Sequence, residues 1–399
     1  MGKAQPWSER RTWPDYEELG ITPLSRALLD FAHGSTPGPP LAGIDWEGVE
    51  KVVVIVLDGL GLSQLEYAFG VGAVPNLDLA RGEGGMSDLT TTLPSTTATA
   101  LISMSTATHP KQHGFLGFRL FLKEAKVLAD MIRLVVLETD TRLDSLGLGP
   151  EVLMPTETVL TRASRQGLKT YAVTRDAFVG SPFTKILYRG AELIGYRSCT
   201  ELLLTMANLC RKKGRSLTFA YWDTIDVVCH IYGGKSDAFL AALAKFDYSF
   251  GRELLRPGWG NVLLLLTADH GHIDCPKERT VDLGEHGELL SFLSLPPTGD
   301  ARLPYLHVEP GRLRHVLDYV DEHLEHVAEW LEADEALKAG LFGPSGTSKW
   351  RDRLGDLILL PKEDYCITYG HLPEEKVFVG RHGGTSPEEM LVPLLWCRL

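Results

Sequence analysis

Three aspartates and three histidines stand where a chain could bring them to one site: Asp58 in VIVLDGLG, Asp226 and His230 in YWDTIDVVCHIYGG, Asp269 and His270 in TADHGH, and His382 in VGRHGGTSPEEMLVP. If residues 226–230 are helical, a spacing of four puts Asp226 and His230 on one face, within reach of a single ion. Alone, the two read as a surface pair. Asp269 and His270 are adjacent, so in a strand they would point to opposite faces. Both reach one site only where the chain turns, and Gly271 permits a turn. His382 is followed by glycine, which lets backbone approach a ligand closely, though a lone histidine is as readily structural. The set combines carboxylate and imidazole with no cysteine, a donor mixture suited to Zn²⁺ or Mn²⁺. Two such ions about 3.5–4 Å apart form a clamp for phosphoryl transfer.

Residues 90–114, TTTLPSTTATALISMSTATHPKQHG, hold eleven serines and threonines in twenty-five positions. Pro94 and Ser95 mark a helix start, where free backbone N–H groups and the helix dipole favour an anion. Ser95 is assigned the capping role, which leaves Thr96 and Thr97 at the reactive end. A threonine alkoxide is too basic to form unaided near neutral pH, and coordination to a metal lowers that barrier. Thr99, Ser103, Ser105 and Thr106, beside Ala98 and Ala100, read as small positions that let the helix pack closely under a sheet edge.

The elements that must carry these residues are apolar runs rich in Val, Ile and Leu: KVVVIVLDG (51–59), LKTYAVT (168–174), SLTFAYWD (216–223) and NVLLLLTADHG (261–271). Amphipathic stretches separate them. The pattern predicts an α/β fold with a mostly parallel central sheet and helices on both faces. Three of the four runs end in an acidic residue, and in open α/β sheets ligands bind beyond the carboxyl ends of the strands. An isolated strand-end aspartate is equally a helix N-cap. Residues 1–45, rich in Pro, Gly and charge, read as a wrapping N-terminal extension, and 46–399 as the α/β domain. Between about 275 and 375 the strand pattern becomes irregular and residues 311–340 read as helical, which suggests an inserted cap. Residues 390–396, MLVPLLW, read as the closing strand.

At 399 residues and 44% hydrophobic content the chain can bury a large core. Forty basic against fifty-two acidic residues give a net charge of −12. That balance argues against binding a nucleic-acid polymer or an anionic membrane surface. An anionic substrate would need local positive charge, which metal ions could supply. No apolar run reaches the roughly 18 residues of a membrane span, and residues 1–20 lack the apolar core of a signal peptide, so a cytoplasmic location is expected. The six cysteines contain no Cys-x-x-Cys pair and read as reduced core thiols. His323 and His326 read as a solvated helix face, whereas His272, His286 and Asp223 are candidates to orient the first set. No nucleotide-binding glycine loop of either common type is present.

In order, Asp-Gly, a Ser/Thr-rich helix start leading to Pro-x-x-His-Gly, Asp-x-x-x-His, Asp-His-Gly and His-Gly-Gly resemble the alkaline phosphatase superfamily, and within it the type I phosphodiesterase and nucleotide pyrophosphatase branch. The resemblance runs over residues 51–399, with little to match at 118–160. It implies an alkaline-phosphatase-like fold and two divalent ions, Zn²⁺ first and Mn²⁺ second. One ion would sit on Asp226, His230 and His382, the other on Asp58, Asp269, His270 and the nucleophile hydroxyl. In that family the nucleophile lies nine residues before a Thr-Gly and sixteen before a His-Gly. Here Thr106 is followed by Ala107, while His113-Gly114 matches, and both counts lead back to Thr97. Thr96 is the alternative. The implied reaction is in-line attack by Thr97 on phosphorus, then hydrolysis of the phosphothreonine formed. Nucleotide pyrophosphatases carry an asparagine twenty-one residues after the nucleophile to hold a phosphate oxygen; Phe118 stands there in this chain. Arg119 and Arg133 are the candidate replacements. Sulfatases need a Cys or Ser in a Cys/Ser-x-Pro-x-Arg setting, and STTAT does not fit.

The expected substrate is therefore a small phosphodiester or nucleotide pyrophosphate. A phosphomonoesterase or phosphonate hydrolase of the same superfamily is the nearest alternative. A metal-binding protein with a degenerate, non-catalytic site is the alternative from another class.

Overall fold

The computed structural model describes residues 11–255, 259–344, 348–370 and 378–399. Residues 1–10 of the expected extension and 371–375 of the expected cap lie outside them. The central sheet has seven strands in the order Gly85–Thr90, Leu391–Arg398, Val262–Thr267, Lys51–Leu57, Ser216–Trp222, Lys169–Arg175 and Glu192–Tyr196. Its last five strands are mutually parallel, and Leu391–Arg398 runs against both of its neighbours. All four apolar runs singled out in the sequence are strands, and so is the closing run. Lys51–Leu57 and Ser216–Trp222 are buried at every position, as expected of parallel strands with helices on both faces.

The sheet points its carboxyl ends to one edge, and Asp58, Asp223 and Asp269 follow three of its strands there. The helix Thr97–Thr106 follows a fourth. That helix is buried at all ten positions. Several of its hydroxyls are bonded as well as small: Ser103 Oγ meets His113 Nε2 at 2.8 Å and Thr106 Oγ1 donates to Ile102 O at 2.7 Å, whereas Thr99 Oγ1 is buried without a partner. The helix ends at Ala107, whose φ of 56° is left-handed. A side chain there costs about 1–2 kcal/mol, a cost that glycine would not carry. Ala107→Gly is expected to raise stability by roughly 0.5–1 kcal/mol once the extra freedom of glycine in the unfolded chain is subtracted, read as an increased denaturation midpoint at constant m-value. The described part of the N-terminal segment carries a helix, Ile21–His33, which places Ile21, Leu24, Leu28 and Phe31 in the main core.

A second seven-stranded sheet lies apart from the first, in the order Ala328–Glu332, Leu357–Pro361, Leu303–Leu306, Thr298–Asp300, Arg119–Leu122, Val127–Asp130 and Val135–Val136. Residues 119–136, which the motifs left blank, thus join the same sheet as 298–361. Within Leu357–Pro361, Leu357 and Leu359 face a small core with Val316, Val320 and Leu324, whereas Ile358 and Leu360 face the main core. Both faces are apolar, so the strand shows none of the alternation that marks a half-solvated one. The helical reading of 311–340 is corrected in its middle. Leu313–His323 and Ala333–Lys338 are helices, but Ala328–Glu332 is a strand paired with Leu357–Pro361. Pairing partners far along the chain overrode a helical pattern that local spacing supported.

Candidate active site

Asp58, Asp226, Asp269, His230, His270 and His382 converge at the carboxyl edge of the central sheet. Asp58 Oδ1, Asp269 Oδ2 and His270 Nε2 form one group: the imidazole nitrogen is 3.5 Å from the first oxygen and 3.7 Å from the second. Asp226 Oδ1 anchors the other, at 2.9 Å from His272 Nε2, 3.3 Å from His230 Nε2 and 3.7 Å from His382 Nε2. Three sets of donor atoms lie within 4.8 Å of one another: Asp58, Asp269 and His270; Asp226, His270 and His382; and Asp226, His230 and His272. The rings of His270 and His382 stack with centroids 3.8 Å apart.

The imidazoles are aimed by the backbone. His230 Nδ1 faces Gly380 O at 2.8 Å, His270 Nδ1 faces Gly271 O at 3.1 Å and His382 Nδ1 faces Ser95 O at 3.1 Å. A carbonyl only accepts, so each Nδ1 carries the proton and each Nε2 presents a lone pair to the site, as a metal-ligating histidine requires. The carboxylates are prepared in the same way. Asp269 Oδ1 accepts from the Gly59 and His270 amides, each at 3.1 Å, and Tyr221 donates to Asp58 Oδ2. Their other oxygens, Asp58 Oδ1 and Asp269 Oδ2, are buried with no hydrogen-bond partner. Buried, orphaned carboxylate oxygens are costly unless a cation meets them. The donor set fits a divalent ion.

Electrostatics agree with that reading. Burial, and then the charges of Asp269 and Asp226, hold the Asp58 carboxyl well above the usual carboxylate range. Burial also works to raise Asp226, but His230 and the hydrogen bond from His272 outweigh it and hold that carboxyl well below the range. Burial, followed by the neighbouring His270, pushes the His382 imidazole well below its ordinary value. Burial lowers His272 to about 4, so His272 meets Asp226 as a neutral ring donating from Nε2.

Thr97 is the first residue of its helix, and its Oγ1 is 3.1 Å from His270 Nε2. Thr96 is the N-cap, without a side-chain capping bond. The capping role expected of Ser95 is corrected. Its hydroxyl donates to Gly384 O at 2.8 Å and accepts from the Gly383 amide at 3.1 Å, which ties the Thr97 turn to the His382 loop. Only the fold could reveal that partner, 289 residues away. Gly271 is required for close approach: a Cβ there would lie 2.1 Å from Glu388 O, and its φ is not among the positive ones.

A cavity of about 320 Å³ opens over the site, and Thr96, Thr97, Asp226, His230 and His382 lie on its wall. Phe118 and Arg119 also line it. Arg133 is held elsewhere, with its guanidinium 2.8 Å from Asp140 at an exposed surface. Asp223 is engaged by Arg175, whose Nε donates to Oδ2 at 2.8 Å. His286 faces the Tyr319 hydroxyl at 2.9 Å, and His323 and His326 are exposed. All six cysteines are free and buried. Among the described residues no helix is long and apolar enough to cross a membrane.

Residues 52–385 match the type I phosphodiesterase/nucleotide pyrophosphatase family. The chain belongs to that family. Its members, within the alkaline phosphatase superfamily, hydrolyse phosphoester bonds. The fold is similar to that of phosphonoacetate hydrolase from Sinorhizobium meliloti 1021 in complex with phosphonoformate, at 17% identity and a TM-score of 0.66 over 88% of this chain and 91% of that one. It is also similar to an inactive threonine-to-alanine variant of murine ectonucleotide pyrophosphatase/phosphodiesterase 5 in complex with AMP, at 16% identity and a TM-score of 0.64 over 86% and 87%. The human form of that protein matches at 15% identity and a TM-score of 0.64 over 87% of each chain.

Proposed function

We propose that this family member is a two-metal phosphodiesterase or nucleotide pyrophosphatase with Thr97 as its nucleophile. The observation that carries the reading is the placement of Thr97 Oγ1 3.1 Å from His270 Nε2, at the start of a buried helix and on the wall of the cavity. Asp226, His230 and His382 would hold one ion, with His272 orienting Asp226; Asp58, Asp269, His270 and the Thr97 hydroxyl would hold the other. Zn²⁺ suits this donor set best and Mn²⁺ next. When bound, such ions supply Lewis-acid charge that offsets the negative charge of a phosphoryl group and makes a hydroxyl a stronger nucleophile.

The residues of the chain do the rest. Thr97 Oγ attacks phosphorus in line, forming the O–P bond as the bond to the leaving oxygen breaks, and the first N–H groups of the helix face the developing charge. Water then hydrolyses the phosphothreonine. Arg119, on the cavity wall, is the donor to a non-bridging oxygen in place of the family asparagine. Arg119→Ala is expected to lower kcat/KM by about 10–100-fold, while Arg133→Ala stays within about twofold of wild type. Equal rates for both variants and the wild type would remove Arg119 from this role. The defining assay is the initial rate of zinc- and manganese-loaded protein on bis(p-nitrophenyl) phosphate beside p-nitrophenyl phosphate. Faster diester cleavage supports the reading, and faster monoester cleavage assigns the chain to the phosphomonoesterase alternative.

A further inference from the structure

We propose that Asp300 is a charge filter on the cavity wall, a carboxylate that disfavours phosphomonoester dianions and so selects monoanionic phosphodiesters; the inference rests on the hydrolase reading above. The strands Thr298–Asp300 and Arg119–Leu122 are antiparallel neighbours with Gly299 opposite Arg119. That register sets Asp300 across from Phe118. Residues directly opposite in an antiparallel pair share a face, and both side chains line the cavity that contains Thr97. Asp300 is fixed there. Its Oδ2 accepts from the Phe118 amide at 3.3 Å, and the Thr96 hydroxyl donates to the same carboxyl. Its side chain packs on the His382 loop: Gly383 has a φ of +118°, and a Cβ at that position would lie 2.8 Å from Asp300 Cβ.

The position across from Phe118 therefore holds a group that carries charge. Burial pushes its carboxyl up to about 6, which leaves it ionised at pH 8. Arg119 and Arg381 on this wall would favour a doubly charged phosphoryl group. Asp300 on the same wall offsets part of that preference and repels the second negative charge of a monoester or of free phosphate. A diester has no second charge to repel. One unit charge at about 6 Å in a medium of effective dielectric about 40 corresponds to a roughly tenfold change in affinity.

The test uses the full-length, metal-loaded protein at pH 8 as wild type, Asp300→Asn and Asp300→Ser, the second variant serving if the first fails to fold. Inorganic phosphate and dimethyl phosphate are titrated calorimetrically. In wild type the two should bind within about tenfold of each other. Either variant should tighten phosphate by about tenfold or more, while dimethyl phosphate changes less than about threefold. Phosphate binding more than about 100-fold tighter than dimethyl phosphate in wild type, or a ratio that neither substitution moves, would overturn the filter. Turnover separates this proposal from the one beneath it. Absence of Thr97-dependent cleavage of any ester would remove the hydrolase reading while the binding ratio still decides Asp300. Thr97-dependent cleavage with an unmoved ratio would remove the filter alone.

Discussion

Thr97→Ala is expected to lower kcat for bis(p-nitrophenyl) phosphate by about 10³-fold or more, while the protein keeps its fold and its bound metal. The loss is large because the hydroxyl forms the bond to phosphorus, so no other interaction compensates for it. Folding should survive because Thr97 is the first residue of its helix, Thr96 keeps the cap position, and alanine is a good helix former. Thr97→Ser retains an oxygen at the same place and should recover much of the rate. Thr96→Ala is the control: it removes the other hydroxyl at the helix start and should leave the Thr97 reaction in place. Metal content by atomic emission and initial rates on the same preparations check all three. A near-wild-type rate for Thr97→Ala, with Thr96→Ala inactive, would move the nucleophile one residue back.

Removing metal is expected to lower the melting temperature by about 4–8 °C, and Asp58→Asn should erase much of that difference. An ion present at 1,000 times its dissociation constant stabilises the folded chain by about 4 kcal/mol, and in a chain this long each kcal/mol is worth about 1–2 °C. The sign for Asp58→Asn reverses between the two forms. With metal, the variant loses a ligand and melts below wild type. Without metal, the wild-type carboxyl is buried beside Asp269 and Asp226 and is held well above the ordinary range. A carboxyl whose folded value is raised contributes stability below its unfolded value and loses it as pH rises through the folded one. Metal-free Asp58→Asn should therefore match or exceed metal-free wild type, with the gap widening as pH rises above the usual carboxylate range. Tyr221 can still donate to the amide oxygen. Scanning calorimetry at several pH values, with and without chelator, measures both signs. A variant that melts below wild type in the chelated state at every pH would show that Asp58 serves the fold rather than an ion.

How much of the site was legible depended on whether a residue acts through its own type and local spacing. Asp226 and His230 are four apart on one helix, and Asp269 and His270 end the most apolar strand, so their convergence followed from local pattern and a parallel sheet. His272 could be placed as a supporting residue because it adjoins the motif. Ser95, by contrast, had a plausible local role as a cap, and its actual partners in the His382 loop lie nearly three hundred positions away. Arg119 and Arg133 were equivalent in sequence. The fold separates them: one lines the cavity and the other pairs with Asp140 at the surface. Asp300 carried no local signal at all, because its place opposite Phe118 comes from the pairing of two strands far apart in the chain.

The same division holds for the protein as a whole. By itself the sequence determined five of the seven strands of the central sheet and the order of the Asp and His motifs, since apolar runs buried on both faces and acids at their carboxyl ends are constraints that act within a few residues. Only the tertiary structure decided the second sheet, the strand at Ala328–Glu332 and the wall of the cavity over the candidate site. Those elements are held by long-range pairing, and Leu303–Leu306 and Leu357–Pro361 are also buried on both faces. Neither leaves a periodic mark in a single chain.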